Sequence, residues 1–376
     1  MFTTIIIFLI VLSVLVFVHE WGHFFVARKL GVKAEEFGFG FPPRVAGFYK
    51  SKEGKWKFVW GNKAVDDARD TVYSINLIPL GGFVKIKGED GENQKDTDSF
   101  SHKKIWKRAS ILSAGVSMNI VLAAVLLSLG LMIGLPQAAT GDFEKGAQVS
   151  DQKVTVLQVL PETPAKQAGL KMGDIILSIN NQKFTSTEGV NGFVKKNEGE
   201  ELNYQIKRGD EVLNKSITPT TIEKTGEPGV GIAIANTAVV KYPWYQAIWK
   251  GIKETVYLTG AIIAALFGLV KDLIMGQSVA AEIGGPVRIA ALTGQFADLG
   301  FAYLLQFTAL LSINLAIINF LPIPALDGGR VLFLIIEKIK GSPVKKEVEA
   351  LVHNLSFILL ILLILVITFN DIVNLI

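Results

Sequence analysis

MFTTIIIFLIVLSVLVFVHEWGHFFVA, Met1–Ala27, is the stretch on which the reading of this chain turns. Met1–Val18 carries no charge and is long enough, with its continuation to Ala27, to cross a hydrocarbon core, which takes roughly 20 apolar residues. Into this run is set His19-Glu20-Trp21-Gly22-His23, and Phe24, Phe25, Val26 and Ala27 then continue it for another helical turn. A cap at the membrane surface would not need that extra turn. Ionisable residues inside an apolar span are costly and are functional by default. The block lacks a basic leading region and a small-residue cleavage site, so it is expected to be retained rather than removed as a secretory signal.

Further apolar blocks follow at Ile111–Leu135, Phe301–Leu326 and Leu355–Phe369 with its flanks. Arg28–Arg108 and Pro136–Tyr245 are polar enough to fold in water. Half of the 376 residues are hydrophobic and only 19% are charged, which fits blocks of membrane helix between polar domains. No cysteine is present, which excludes disulfides, Fe–S clusters and thiolate metal sites. The net charge of +4 is spread over several loops, and nothing suggests nucleic acid.

Positive residues of short loops stay in the cytoplasm. Arg28, Lys29 and Lys33 follow the first span, Lys103, Lys104, Lys107 and Arg108 precede the second, and Arg330–Lys346 lies between the last two. The expected order is therefore N-terminus out, Arg28–Arg108 in, Pro136–Tyr245 out, Arg330–Lys346 in, C-terminus out. Thr255–Val270 is uncharged but short, between Lys253, Glu254 and Lys271, Asp272. A crossing there would put Lys345 and Lys346 outside, so Tyr245–Met275 is read as interfacial or re-entrant.

His19 and His23 stand four residues apart and so share one face of a helix, where both imidazoles reach one ion. Zinc favours such nitrogen ligands, and the glutamate after the first histidine can serve as general base. The chain holds only four histidines, two of them at this spacing. A catalytic zinc usually takes a third protein ligand. His102 and His353 read as ordinary interfacial residues, so a carboxylate is expected. Asp327 stands out at the end of Asn319-Phe320-Leu321-Pro322-Ile323-Pro324-Ala325-Leu326-Asp327-Gly328-Gly329, between two apolar runs. Pro322 and Pro324 break the helix there, and broken backbone at membrane depth is tolerated only inside protein or against a wet cavity. The first and third spans run the same way and meet their polar residues late, which sets His19, His23 and Asp327 at one depth. The competing reading makes Asp327 a mere cap for a helix starting at Gly328.

With these motifs the chain resembles the site-2 protease family of intramembrane zinc metalloproteases, in its bacterial, regulator-of-sigma-E-protease-like branch with a single PDZ domain. The resemblance rests on His19–His23 and Asn319–Gly329. Supporting pieces are Gly38-Phe39-Gly40 with Pro42, Pro79-Leu80-Gly81-Gly82-Phe83 and Gly284-Gly285-Pro286-Val287. It implies Zn2+ held by His19, His23 and Asp327, Glu20 as catalytic acid/base, and Asn319 as a residue that holds substrate or supports the site. Where the family often reads Ala-Gly-Pro-x-x-Asn, this chain reads Ala114-Gly115-Val116-Ser117-Met118-Asn119, so the proline is lost and Asn119 kept. Val72–Ile78 reads as a strand, Pro79–Gly82 as its turn and Phe83–Lys87 as a returning strand. This segment resembles the family's membrane-associated β-hairpin, whose edge, here Gly81, Gly82 and Phe83, would take an extended substrate.

Between the second and third spans, strands are expected at Val154–Val159, Ile175–Ile179, Leu202–Lys207 and Glu211–Ile217. Helices are expected at Thr163–Leu170 and Glu188–Lys196. The pattern, with Pro164-Ala165 through Gly173-Asp174 to Asn180, resembles a bacterial PDZ domain. The domain is expected to contact the extracytoplasmic part of a substrate, acting as a size filter with weak capture.

The expected fold is thus a polytopic α-helical membrane protein with about four transmembrane helices, a small cytoplasmic-side membrane-associated β region and one extracytoplasmic PDZ-like α+β domain. Its parts are 1–30 (first span), 31–108 (cytoplasmic and β-hairpin region), 109–135 (second span), 145–238 (PDZ-like), 243–298 (interfacial or re-entrant), 300–329 (third span) and 330–376 (cytoplasmic loop and fourth span). The resemblance implies a multi-pass protein of the bacterial inner membrane, both termini outside. Its partners would be membrane-spanning substrates such as anti-sigma factors or remnant signal peptides, and the lipid bilayer. A non-enzymatic scaffold and a metal carrier are the alternatives. The intact His19, Glu20, His23 and Asp327 oppose the first, and their clustering at one depth opposes the second.

Overall fold

The computed structural model describes residues 2–139, 146–209, 211–222, 226–276 and 284–373. Ten α-helices are found among them: α1 (Phe2–Lys29), α2 (Ile105–Leu112), α3 (Ala114–Ile133), α4 (Pro164–Gln167), α5 (Thr187–Lys196), α6 (Trp244–Ile274), α7 (Pro286–Leu299), α8 (Phe301–Phe320), α9 (Asp327–Lys340) and α10 (Lys346–Val373). The strands are β1 (Ala34–Lys50), β2 (Trp56–Trp60), β3 (Val72–Ile86), β4 (Leu135–Ala138), β5 (Gln148–Val159), β6 (Ile175–Ile179), β7 (Gln182–Lys183), β8 (Leu202–Arg208), β9 (Glu211–Ile217), β10 (Thr220–Ile222), β11 (Glu227–Gly229) and β12 (Ile232–Lys241). The chain divides into two compact units, one of residues 1–125, 253–294 and 308–376, the other of 126–252 and 295–307.

In the first unit α1 forms because an unbroken apolar run has no other way to satisfy its backbone away from water. It ends at Gly31, whose positive φ of 76° suits the turn out of the helix. Behind the ligand motif, Ala27, Val32, Ile86, Phe100, Ile111, Leu112 and Leu334 make a dry cluster that ties α1 to β3, α2 and α9.

The β region differs from the expected hairpin. Val72–Ile78 and Phe83–Ile86 do not pair with each other; both pair with β1, which runs between them. Phe37 faces Tyr73 on one side and Val84 on the other. The reason lies in the Pro79–Gly82 turn, which opens widely instead of folding tightly because it is draped over α1. Ser13 Oγ donates to the Pro79 carbonyl at 3.3 Å and accepts from the Gly81 amide at 3.3 Å. A Cβ at Gly81 would lie 2.5 Å from the Val16 side chain, so only glycine fits. Asn76 Nδ2 donates to the Gly40 carbonyl at 2.8 Å and locks the bulged part of β1.

The two ends of this unit are distinct. At one end Gly285 and Arg288, opening α7, donate backbone N–H groups to Asp371 near the end of α10, at 3.2 and 3.0 Å. Gly294 of the same helix packs on Thr4, near the start of α1. At the other end α1 meets Asp327, and Lys346 at the start of α10 donates to the Gly91 carbonyl. So α1 and α10 traverse the unit in opposite directions, and α7 stays at the end where α1 starts.

Five helices among the described residues are long and apolar enough to cross a membrane: α1, α3, α6, α8 and α10. About four were expected, and α6 is the difference. It is one unbroken helix of 31 residues, about 46 Å long at 1.5 Å per residue, so the re-entrant form, which needs a break, is not the one that occurs. Nothing in Trp244–Ile274 ends a helix, since the segment has no proline. Its uncharged middle, 255–270, nonetheless falls short of the roughly 20 residues a span requires.

In the second unit six strands form a sheet in the order β4-β12-β5-β6-β8-β9, with β7 paired to β6. Its core of Val154, Val156, Ile176, Ile179, Tyr204 and Ile206 reads off the period-2 alternation of the strands, and Val190 and Val194 of α5 close it. Ser186 caps α5, accepting from the Gly189 amide at 3.2 Å. Asp174 is fully buried and takes a two-point bond from Arg208, Nε to Oδ1 and Nη2 to Oδ2, both 2.7 Å.

Candidate metal centre

Three side chains meet where α1 and the start of α9 come together. His19 Nε2 lies 3.0 Å from Asp327 Oδ2, His23 Nε2 lies 3.2 Å from the same oxygen, and the two imidazole nitrogens are 3.2 Å apart. Tetrahedral ligands with metal–nitrogen and metal–oxygen bonds of about 2.0–2.1 Å stand about 3.3 Å from one another. The observed triangle is of that size, and it is the one group of potential metal ligands that the described residues form. Both histidines are buried.

Each ring is oriented from behind, as metal-binding histidines are. His23 Nδ1 lies 2.9 Å from the Ile111 carbonyl, which can only accept, so the proton sits on Nδ1 and Nε2 keeps its lone pair. His19 Nδ1 lies 3.3 Å from Asn119 Nδ2, while Asn119 Oδ1 is buried without a partner, and a half-turn of the carboxamide, which exchanges the two atoms, sets Oδ1 against the ring instead. A proton on Nδ1 donated to that oxygen frees His19 Nε2 in the same way. The α3 backbone at Asn119 is pinned in turn by Ser312 of α8, whose Oγ donates to the Asn119 carbonyl at 2.7 Å. The donor set therefore fits zinc: two neutral imidazoles, one carboxylate, and outer partners that set the tautomers.

Gly115 makes room for this arrangement. A Cβ there would lie 2.7 Å from His19 Nε2 and would also strike His23 Nε2. Gly22 does the same between α1 and α3, where a Cβ would meet the Ala114 carbonyl at 2.5 Å. Asp327 is not a helix cap. It is the first residue of α9, Leu326 stands at the cap position without a side-chain bond, and the Asp327 carboxylate turns to the histidines. Gly328 and Gly329 allow this, since a Cβ at either would strike the backbone of Phe320–Pro324.

Glu20 lies between the two histidines, within electrostatic reach of both and of Asp327. The backbone of Gly82 rests on it, with an added Cβ only 3.1 Å from Glu20 Cβ and 3.0 Å from Phe17 Cα. Gly82 thus borders the cluster, and Gly81 lies against Val16 one turn earlier on α1. Asn319, expected to hold substrate or to support the site, forms no side-chain hydrogen bond among the described residues. Asn119, Gly115 and Ile111 do the supporting. The only sequence signal for them was Ala114-Gly115 and Asn119, one turn apart in an apolar helix; the Ile111 carbonyl left none.

Ligands of this kind and a carboxylate in their midst, held by helices too apolar for water, define a class: a membrane-embedded zinc metalloprotease. Comparison with known proteins gives the family. The family model described as peptidase family M50 matches residues 7–60 and 63–363, and the chain belongs to that family, of site-2 protease type. It is 31% identical to the regulator of sigma-W protease RasP of Bacillus subtilis, over 98% of each chain. It is also 31% identical to the zinc metalloprotease RasP of Oceanobacillus iheyensis, over 98% of this chain and 99% of that one. Among solved structures, the PDZ domain of the SdrC-like protein from Listeria monocytogenes is 30% identical over 23% of this chain and 92% of its own, with a TM-score of 0.21.

Proposed function

We propose that the chain hydrolyses peptide bonds inside the membrane segments of single-span proteins or of remnant signal peptides, with Zn2+ held by His19, His23 and Asp327. The observation that carries this is the ligand triangle itself, set between α1 and the start of α9 with a glutamate beside it and a strand edge against that glutamate. Bound zinc supplies polarisation of the scissile carbonyl and activation of the attacking water. Glu20 takes the proton of that water on its carboxylate and delivers it to the leaving amine.

A substrate helix shields its own carbonyls, so it must be unwound before it is cut. Residues 82–86 of β3 pair on one side only, with β1, among the described strands. A substrate strand added to that free edge, at Gly81, Gly82 and Phe83, would have its backbone held open beside Glu20. Asn319 is assigned a lesser part in holding substrate near Asp327.

The membrane is read as the bacterial inner membrane, with α1, α3, α8 and α10 crossing and both termini outside. Because α7 stays at the end of its unit where α1 starts, α6 is best accommodated without a crossing, along the outer surface. The β5–β9 sheet domain then lies outside, as a PDZ-like filter with weak capture. A relative named regulator of sigma-W protease supports membrane-tethered anti-sigma factors as one substrate class.

The test is cleavage of a single-span model substrate by the full chain in liposomes, beside Glu20→Gln and a chelated sample. Cutting within the apolar segment by wild type alone, with zinc still bound to Glu20→Gln, is the expected outcome. Equal cutting by Glu20→Gln would overturn the reading.

A further inference from the structure

The first unit has a partly open cavity of about 610 Å3 next to the metal centre. Leu112 on its wall adjoins Ile111, which anchors His23, and Pro324 and Arg330 on its wall stand on either side of Asp327 in the chain. The rest of the wall comes from the loop after β3, from α9 and from the first turns of α10. This is the end of the unit where the basic loops gather.

The cations of this wall are already engaged. Arg108 pairs with Glu337 at 2.5 Å, Arg330 pairs with Glu89, and Lys346 donates to the Gly91 carbonyl. His102 and His353 sit 3.1 and 2.9 Å from the carbonyls of Gln94 and Pro324. The carboxylates are not all engaged. Glu349 has no ion-pair partner among the described residues, and Asp90 has only a long contact of 3.9 Å to Arg330. With Glu337 and Glu89 paired, Asp90 and Glu349 stand against the single charge of Lys346, so the net charge left for a guest is negative.

We infer that this cavity is a subsite for the cytoplasmic flank of the substrate, and that Asp90 and Glu349 receive the Lys or Arg side chains found there. Membrane segments carry such residues at their cytoplasmic ends as a rule, so the cavity matches the basic residues that border the cut segment on that side. A strand lying on the Gly81–Phe83 edge and passing the ligand cluster would reach the cavity next. Recognition of the basic flank would fix the register of the strand, and so the bond that is cut. This inference rests on the reading of the site as a membrane-segment protease.

The experiment uses the full chain with zinc in liposomes and three single-span substrates that differ only in two flanking residues: Lys-Lys, Gln-Gln or Glu-Glu. Wild type should favour Lys-Lys over Gln-Gln by about three- to tenfold in kcat/KM, the scale of two partly screened ion pairs, and the preference should shrink in high salt. Asp90→Asn with Glu349→Gln should abolish the ratio, and Asp90→Lys with Glu349→Lys should turn it toward Glu-Glu. A ratio is read, so a general loss of fold or activity lowers all substrates alike and does not mimic the result. Indifference of wild type to the flank overturns the subsite, as does a full preference kept by the double variants. Failure to cut any of the three overturns the protease reading with it.

Discussion

At the scale of single residues, the centre depends on atoms that touch no substrate. Gly115 is the sharpest case, because a methyl group there meets both imidazoles. Gly115→Ala should cost at least tenfold in zinc affinity and a matching share of activity, measured by metal analysis after dialysis against a graded chelator. Asn119→Ala should weaken zinc binding by about 10–100-fold, since His19 loses the group that fixes its tautomer. Asn119→Asp keeps an acceptor and should recover most of that loss, whereas a role for the amide as donor predicts no recovery. Sequence alone pointed to His19, Glu20, His23 and Asp327 because ionisable groups in apolar helices are conspicuous. It could not rank Asn119 over Asn319: both are asparagines in apolar helices, and only packing brings one of them to a ring nitrogen.

At the scale of elements, local chemistry and tertiary contact divide the work differently in the two units. In the sheet unit, alternation, the Ser186 cap and the turn residues put β6, β8, β9 and α5 within a residue or so of where the sequence sets them. That domain carries one internal tension. Tyr204 is fully buried and its hydroxyl has no partner, so burial pushes its ionisation far upward. Tyr204→Phe removes the unsatisfied group and keeps the ring, and should stabilise the domain by up to about 1 kcal/mol, seen as a rise in its melting temperature. Asp174→Ala should do the opposite and cost about 3–5 kcal/mol, since Arg208 would lose both bonds to a buried carboxylate. In the β1–β3 region the same local rules gave the wrong partners. Pro79–Gly82 looks like a tight turn, but α1 lies beneath it and holds it open, and β1 takes the place between its arms.

For the whole molecule, the number of crossings is the quantity that charge counting and helix length settle in different ways. Length and composition admit α6 as a fifth span, while its flanking charges and the placing of α7 beside the starts of α1 and the end of α10 favour four. The absence of cysteine makes the question open to a clean test. Single substitutions Asn197→Cys, Asp272→Cys and Ser101→Cys in intact cells should react with an impermeant maleimide at the first two and not the third. Labelling at Asn197 but not at Asp272 would put α6 across the bilayer and invert the spans after it.

The sequence by itself determined the class of this protein: apolar runs of spanning length, a glutamate between paired histidines on one helical face, and an aspartate after a broken helix. These follow from period, solvation cost and ligand preference, which act along the chain or within one helix. Tertiary structure alone decided which asparagine serves the centre, why Gly115 and the Gly81-Gly82 edge must lack side chains, and that β1 parts the two arms of β3. Such features depend on close approach between segments distant in sequence, and no local pattern encodes that distance.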